Sequence, residues 1–394
     1  MGKYNFDEIT DRRGTNSLKY DFAAEWGRSQ DAIPLWVADM DFPTAPEIIR
    51  KAEEVVRHGI FGYSEPLDGY YEAALSHYKR HFGWNPPKEW IVKTPGVVFA
   101  IAQCVRAFTD EGDGVIIQNP VYYPFTDVVK NNNRKLVDNP LKLNDHGVYV
   151  IDFDDFEKKA ASPDTKMFLL CNPHNPVGRV WTKEELIRLE EICLKNHVLV
   201  ISDEIHSDFV WEDNEFNVLV NIDDRYRENV ITCTSPSKAF NLAGLQVSNI
   251  FIPDGTKRKQ LTDEIWAGGY LYLNTIGLAA CQAAYESGQD WLKAVKEYIW
   301  ENILFCIDYT EKNLPGVKII RPQGTYLVWM DYRGTGLSFK EIEDLINVKA
   351  RVWLDDGSIF GKEGEGFERI NVACPRAVLA EALERIKGVF LKKS

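Results

Sequence analysis

The sequence has no apolar run long enough to span a bilayer, and no apolar core follows Met1–Asp7 in the manner of a secretory leader. Membrane insertion and export are therefore not expected. Cysteine is sparse and unpatterned: seven residues, Cys104, Cys171, Cys193, Cys233, Cys281, Cys306 and Cys374, form no C-x-x-C pair. Their odd number and wide spacing argue against a disulfide framework and against a cysteine-based zinc site. Cys171 and Cys233 sit in apolar runs, where a thiol serves as a small core residue. A reducing cytoplasm is the expected compartment. Positive charge is also in deficit, with 46 Lys and Arg against 59 Asp and Glu, a net charge of −13. Such a surface repels phosphate backbones, so no nucleic-acid partner is expected. The one basic run at the end, Lys392-Lys393, is too short to change this. Low-complexity tracts and internal repeats are missing too.

What remains is a 394-residue chain, 45% hydrophobic and 27% charged, too long for one ordinary core. From Trp90 to Pro253, short β-branched runs alternate with amphipathic segments: Gly114–Ile117, Met167–Leu170, Val198–Ile201, Val230–Cys233 and Asn249–Ile252. Each ends in Asn, Asp, Pro or Ser, which predicts buried parallel strands. Between two of them Thr182 and Glu185 form a capping box ahead of the apolar stripe Leu186, Leu189, Ile192 and Cys193. The pattern predicts an α/β protein, a three-layer αβα unit around a mostly parallel sheet, with a smaller α+β domain. The large domain is placed at 46–284 and the small one at 1–45 plus 285–394. The latter holds a helical stretch from Trp291 to Asn313, a strand-like Gly324–Met330 and a final helix near Val378–Phe390.

In such sheets ligands bind at the carboxyl ends of the strands. Three polar clusters fall there: Asn172-Pro173-His174-Asn175, Asp203-Glu204-Ile205-His206 and Ser235-Pro236-Ser237-Lys238. Small residues and hydroxyls surround Lys238, the setting a nucleophilic Schiff-base amine needs; on this context alone a solvated surface lysine is an equal alternative. Asp203 fits either a helix cap or a carboxylate against a pyridine nitrogen. Asn175 fits either turn chemistry or an amide facing a ring hydroxyl. Gly96, before Val97 and Val98, opens a helix whose N–H groups suit a phosphate, although such junctions are also ordinary.

The ordered set Asn172–Gly178, Asp203–His206 and Ser235-x-Ser237-Lys238-x-Phe240 resembles the fold-type I pyridoxal 5′-phosphate (PLP) enzymes of the aspartate aminotransferase superfamily. Trp36–Phe42, the Asp-Glu-Ile-His run and Asn371–Arg376 resemble its MalY/PatB family of cystathionine β-lyases, over essentially the whole chain. The resemblance implies the PLP transferase fold, a small amino-acid substrate and a homodimer with shared active sites. It implies that Lys238 carries PLP and moves the proton, that Asp203 pairs with the pyridine nitrogen and that Asn175 meets the ring oxygen. Tyr122 would stack on the ring, with Tyr123 as competitor. Gly96, Val97, Val98, Ser235 and Ser237 would hold the phosphate, and Arg369 would clamp the substrate carboxylate. Tyr63 would reach the partner's phosphate. Trp36 and the Phe61–Pro66 loop are candidates for the side-chain pocket.

Two positions depart from the wider superfamily. His206 stands where many aminotransferases place a ring-contacting tyrosine, and Gln246 replaces a phosphate-binding arginine. Both resemble the lyase group. No partner histidine stands at ligand spacing from His206, so no metal site is assigned. The activity expected is α,β-elimination from S-substituted cysteines such as L-cystathionine. The alternatives are an aminotransferase using the same residues and a binding protein that retains the site.

Overall fold

The alternating apolar runs become one seven-stranded sheet in a computed structural model that describes residues 3–390; Met1-Gly2 and the Lys392-Lys393 pair lie outside the described residues. Its strands are β1 (Ile91–Thr94), β2 (Gly114–Ile117), β3 (Lys135–Asp138), β4 (Thr165–Cys171), β5 (Leu199–Asp203), β6 (Val230–Thr234) and β7 (Ser248–Phe251), ordered β1-β7-β6-β5-β4-β2-β3. The pairs among β2 to β6 are parallel. The expectation that Asn249–Ile252 is a parallel strand is corrected: β7 runs antiparallel to both neighbours. Its connection from β6 holds only one-turn helices, Pro236–Ala239 and Ala243–Leu245, so no crossover carries the chain back along the sheet.

Side-chain alternation along the strands separates two cores. Met167, Leu169 and Cys171 of β4 pack with Ile101, Cys104 and Val105 of α3 (Val97–Phe108). Phe168 and Leu170 face the other way, onto Leu186, Leu189 and Cys193 of α4 (Lys183–Lys195). This period of two is what lets a parallel sheet bury both faces. Helix α4 begins as the sequence predicts: Thr182 Oγ1 accepts from Glu185 N–H (3.2 Å) and Glu185 accepts from Thr182 N–H (2.9 Å). Two further helices, α1 (Pro46–His58) and α2 (Asp68–Phe82), precede the sheet, and both pack on α5 (Thr275–Ser287).

A second sheet follows the long helix α6 (Gln289–Asn313): β8 (Lys318–Ile320), β9 (Leu327–Asp331), β10 (Asp355–Asp356) and β11 (Phe367–Asn371), antiparallel in the order β8-β9-β11-β10. Helix α7 (Arg376–Phe390) closes the chain. The strand expected over Gly324–Met330 starts later, at Leu327. Gly324 instead presses into the loop after β4, where an added Cβ would meet Pro173 at 2.8 Å and Phe209 O at 2.9 Å. Near the amino end, Ile33–Pro34 pairs in parallel with Val352–Trp353, and Asp41 N–H donates to Ala373 O (2.9 Å). Among the described residues no helix is long and apolar enough to cross a membrane.

Candidate active site

Register brings the polar clusters together. Cys171 lies opposite Asp203, and Asp203 opposite Cys233, so β4, β5 and β6 end side by side. Their following residues surround a cavity of about 130 Å3 that also touches Ala38, Val97, Val98 and Tyr122. Asn175, Asp203, His206, Ser237 and Lys238 line it.

Lys238 lies in the one-turn helix Pro236–Ala239, which Ser235 caps by accepting from Ser237 N–H (3.1 Å). Asn241 follows in the left-handed region (φ 56°), which an asparagine tolerates. Its amide donates to Met40 O (3.0 Å) and Phe42 O (2.9 Å) and accepts from Met40 N–H (3.0 Å). The 36–42 segment is thereby strapped beside the lysine. Lys238 Nζ donates to Ala38 O (2.6 Å), an acceptor shared with Tyr326 Oη (2.9 Å). Burial pulls the lysine pKa down to about 8, against the attraction of Asp39 and Asp203. Asp39 is itself held: burial would raise its pKa, but Arg12 and Lys19 hold it below the usual range.

Asp203 accepts from Ile205 N–H (3.1 Å), yet no cation lies within 4 Å of it among the described residues. Burial raises its pKa to about 7. His206 is buried, its Nδ1 has no hydrogen-bond partner, and burial, Lys238 and Arg369 hold it neutral, well below its ordinary value.

Arg369, 2% exposed, reaches Asn175 from β11. Nη1 donates to Asn175 Oδ1 (2.9 Å) and Nη2 donates to Trp36 O (2.8 Å) and to Asp355. The β10–β11 register sets Asp355 directly opposite Arg369. Burial lifts the Asp355 carboxyl to about 6 although Arg369 opposes it. The arginine Nε is buried without a partner.

The remaining candidates divide. Tyr122 lines the cavity, whereas Tyr123 packs its ring toward Phe360 (6.0 Å). Burial pushes the Tyr122 phenol well up. Gly96 is the N-cap of α3, one residue outside the cavity lining. Ser235 also stands outside that lining: its hydroxyl donates to Val247 O (2.7 Å) and lies 2.6 Å from Ser237 Oγ. Tyr63 is 94% exposed, its ring 5.5 Å from Tyr272, and it does not meet this chain's cavity. Trp36, a pocket candidate, stacks on Trp353 at 4.4 Å. Sequence reasoning missed Ala38, Tyr326 and Asp355. The first acts through a backbone carbonyl, which no residue pattern marks. The third is visible only once the β10–β11 register is known.

The donor set suits PLP: an amine of lowered pKa, a buried carboxylate without a cation, an aromatic face, N–H groups where α3 begins, and the Ser237 hydroxyl in the same lining.

The sequence profile of the aminotransferase class I and II family matches residues 30–386. Cystathionine β-lyase PatB of Bacillus subtilis (strain 168) is 42% identical over 98% of this chain and 100% of its own length. Cystalysin of Treponema denticola, whose structure contains PLP, superposes with a TM-score of 0.96 at 38% identity, covering 99% of this chain and 100% of that one. The PLP-bound C–S lyase of Staphylococcus hominis gives a TM-score of 0.91 at 35% identity, covering 99% of each chain.

Proposed function

Because this chain belongs to the aminotransferase class I and II family, and within it to the MalY/PatB branch, we propose that it is a PLP-dependent carbon–sulfur β-lyase. It cleaves L-cystathionine or a related S-substituted cysteine to a thiol, pyruvate and ammonia. The observation that carries this reading is the convergence of Lys238, Asp203, Asn175 and Tyr122 on one cavity, with Arg369 bonded to Asn175 behind it.

Bound PLP supplies a ring that accepts the electron pair left at the substrate Cα. Asp203 would hold a proton at the pyridine nitrogen, and Asn175 would face the ring oxygen. Val97, Val98 and Ser237 would bind the phosphate, with Gly96 and Ser235 capping the helices that present them. Tyr122 and His206 would pack against the ring. Arg369 meets the substrate carboxylate, and its orphaned Nε is a donor left for that anion. Once the substrate amine has taken its place on the cofactor, the freed Lys238 amine, whose pKa burial lowers, would take the Cα proton as general base. The Cβ–S bond would then break with its electron pair going to sulfur, which would leave as a thiol after taking a proton from the Lys238 ammonium, and water would hydrolyse the remaining enamine to pyruvate and ammonia.

The same reading makes the enzyme a homodimer. Tyr63 stands on an exposed apolar rim with Ile60, Phe61, Leu67, Trp266 and Tyr272, the surface through which it reaches the partner's phosphate site. Seven buried, unpaired cysteines support a reducing, cytoplasmic location. Replacing the base tests the assignment. Lys238→Ala should lose covalent cofactor attachment, read by absorbance, and at least about 10³-fold in kcat/KM. A variant that keeps its turnover would sink it.

A further inference from the structure

Beyond the His206 loop lies a second cluster of titratable groups that the reaction does not use. His77 and His81, one turn apart on α2, point to one side of the helix, toward Asp208. His77 Nε2 is 3.2 Å from Asp208 Oδ1, and His81 Nδ1 is 3.8 Å from the same oxygen. All three candidate ligand atoms lie within 4.8 Å of one another. Asp208 is 7% exposed, and its Oδ1 makes no hydrogen bond despite that proximity.

We propose that His77, His81 and Asp208 bind a borderline divalent transition-metal ion, with Zn2+ as its type. Zinc sits about 2.0–2.2 Å from imidazole nitrogen and carboxylate oxygen, so two tetrahedral ligands stand about 3.3–3.5 Å apart. The observed 3.2 and 3.8 Å bracket that spacing. Two imidazoles and one carboxylate disfavour Mg2+ and Ca2+, which take all-oxygen shells. The His81 side chain is 30% exposed, which gives the ion an entry and leaves a fourth position for water.

The surroundings suit this use. Gln289, the first residue of α6, places Oε1 2.5 Å from His81 Nε2. A proton donated there leaves the His81 Nδ1 lone pair free on the Asp208 side. Gln289 Nε2 donates to Tyr285 O (3.2 Å) and stands 3.4 Å from His77 Nδ1, a loose contact in which the amide is the donor; an ion on His77 Nε2 would displace it, because Nδ1 would then carry the ring proton. Burial and His77 hold the His81 pKa below its ordinary value. Burial would raise the Asp208 pKa, but His77, His81 and Lys296 keep it low. A neutral imidazole and an ionised carboxylate are the forms that ligate. Lys296 is the competing cation; burial lowers its pKa, so it yields its proton more readily than a free lysine. The ion would tie α2, the loop carrying His206 and the start of α6 into one brace. The expectation of no metal site rested on the cysteines and on His206; the His77-x-x-x-His81 spacing is present in the sequence.

The test uses the PLP-loaded protein, stripped with a chelator and dialysed. Calorimetric titration with ZnCl2 should give one ion per chain, and CoCl2 should give an intense tetrahedral d–d band at wavelengths beyond the cofactor's absorbance. Excess zinc should raise the melting temperature by a few degrees. His81→Ala, on the exposed side, should melt as the parent does in chelator yet bind zinc at least about tenfold more weakly. Asp208→Asn should weaken binding likewise. The absence of saturable binding, or binding unaltered in both variants, would overturn the site.

Discussion

Lys238 combines a nucleophile's needs in one position: burial lowers its pKa to about 8, and the Ala38 carbonyl fixes its amine. Covalent PLP uptake by the cofactor-free protein requires the neutral amine. Its rate should therefore climb with pH and reach half its maximum near pH 8; a midpoint near 10.5, the ordinary lysine value, would contradict this setting. Lys238, Asp203 and Asn175 were legible in the sequence because each lies at or just past the end of a short strand, and neighbouring strand ends must lie together. Asp355 and the Ala38 carbonyl were not. The Asp355–Arg369 pair exists only through an antiparallel register, and a carbonyl's role is independent of the side chain above it.

At the scale of elements, helix α4 carries a cost of its own making. Its residue Glu190 is 1% exposed, and burial raises its carboxyl from 4.5 to about 8. The folded chain thus holds this proton more tightly than the unfolded chain does. The stability it supports is fully present below pH 4.5 and is lost as pH rises through about 8. Glu190→Gln should stabilise the protein by about 1–3 kcal/mol at pH 8 and by little at pH 4. Denaturant melts at the two pH values measure this, and equal effects at both would refute it. Element legibility followed the same physics as the site. Parallel strands and the capped helix declared themselves by periodicity and by Thr182 and Glu185. The direction of β7 did not, since a buried strand shows the same apolar run whichever way it travels. The end of the Gly324 segment was hidden too, because only the approach of Pro173 explains it.

At the scale of the molecule, the exposed rim around Tyr63 lies away from this chain's Lys238 cavity. If it completes the partner's site, two damaged enzymes should repair each other. Lys238→Ala and Tyr63→Ala proteins, unfolded together and refolded, should form mixed dimers holding one site with both residues intact. Turnover should then exceed the sum of the two parents; activity no greater than that sum would exclude a shared site. An exposed tyrosine carries no such message in sequence, where surface and interface look alike.

The central claim is elimination at a cysteine Cβ, and one incubation separates it from transamination by the same residues. The PLP-loaded enzyme is mixed with L-cystathionine and no keto acid, and pyruvate and free thiol are assayed over many turnovers. Equal amounts of both, accumulating continuously, are predicted. Pyruvate without thiol, or no product until a keto acid is added, would contradict the account.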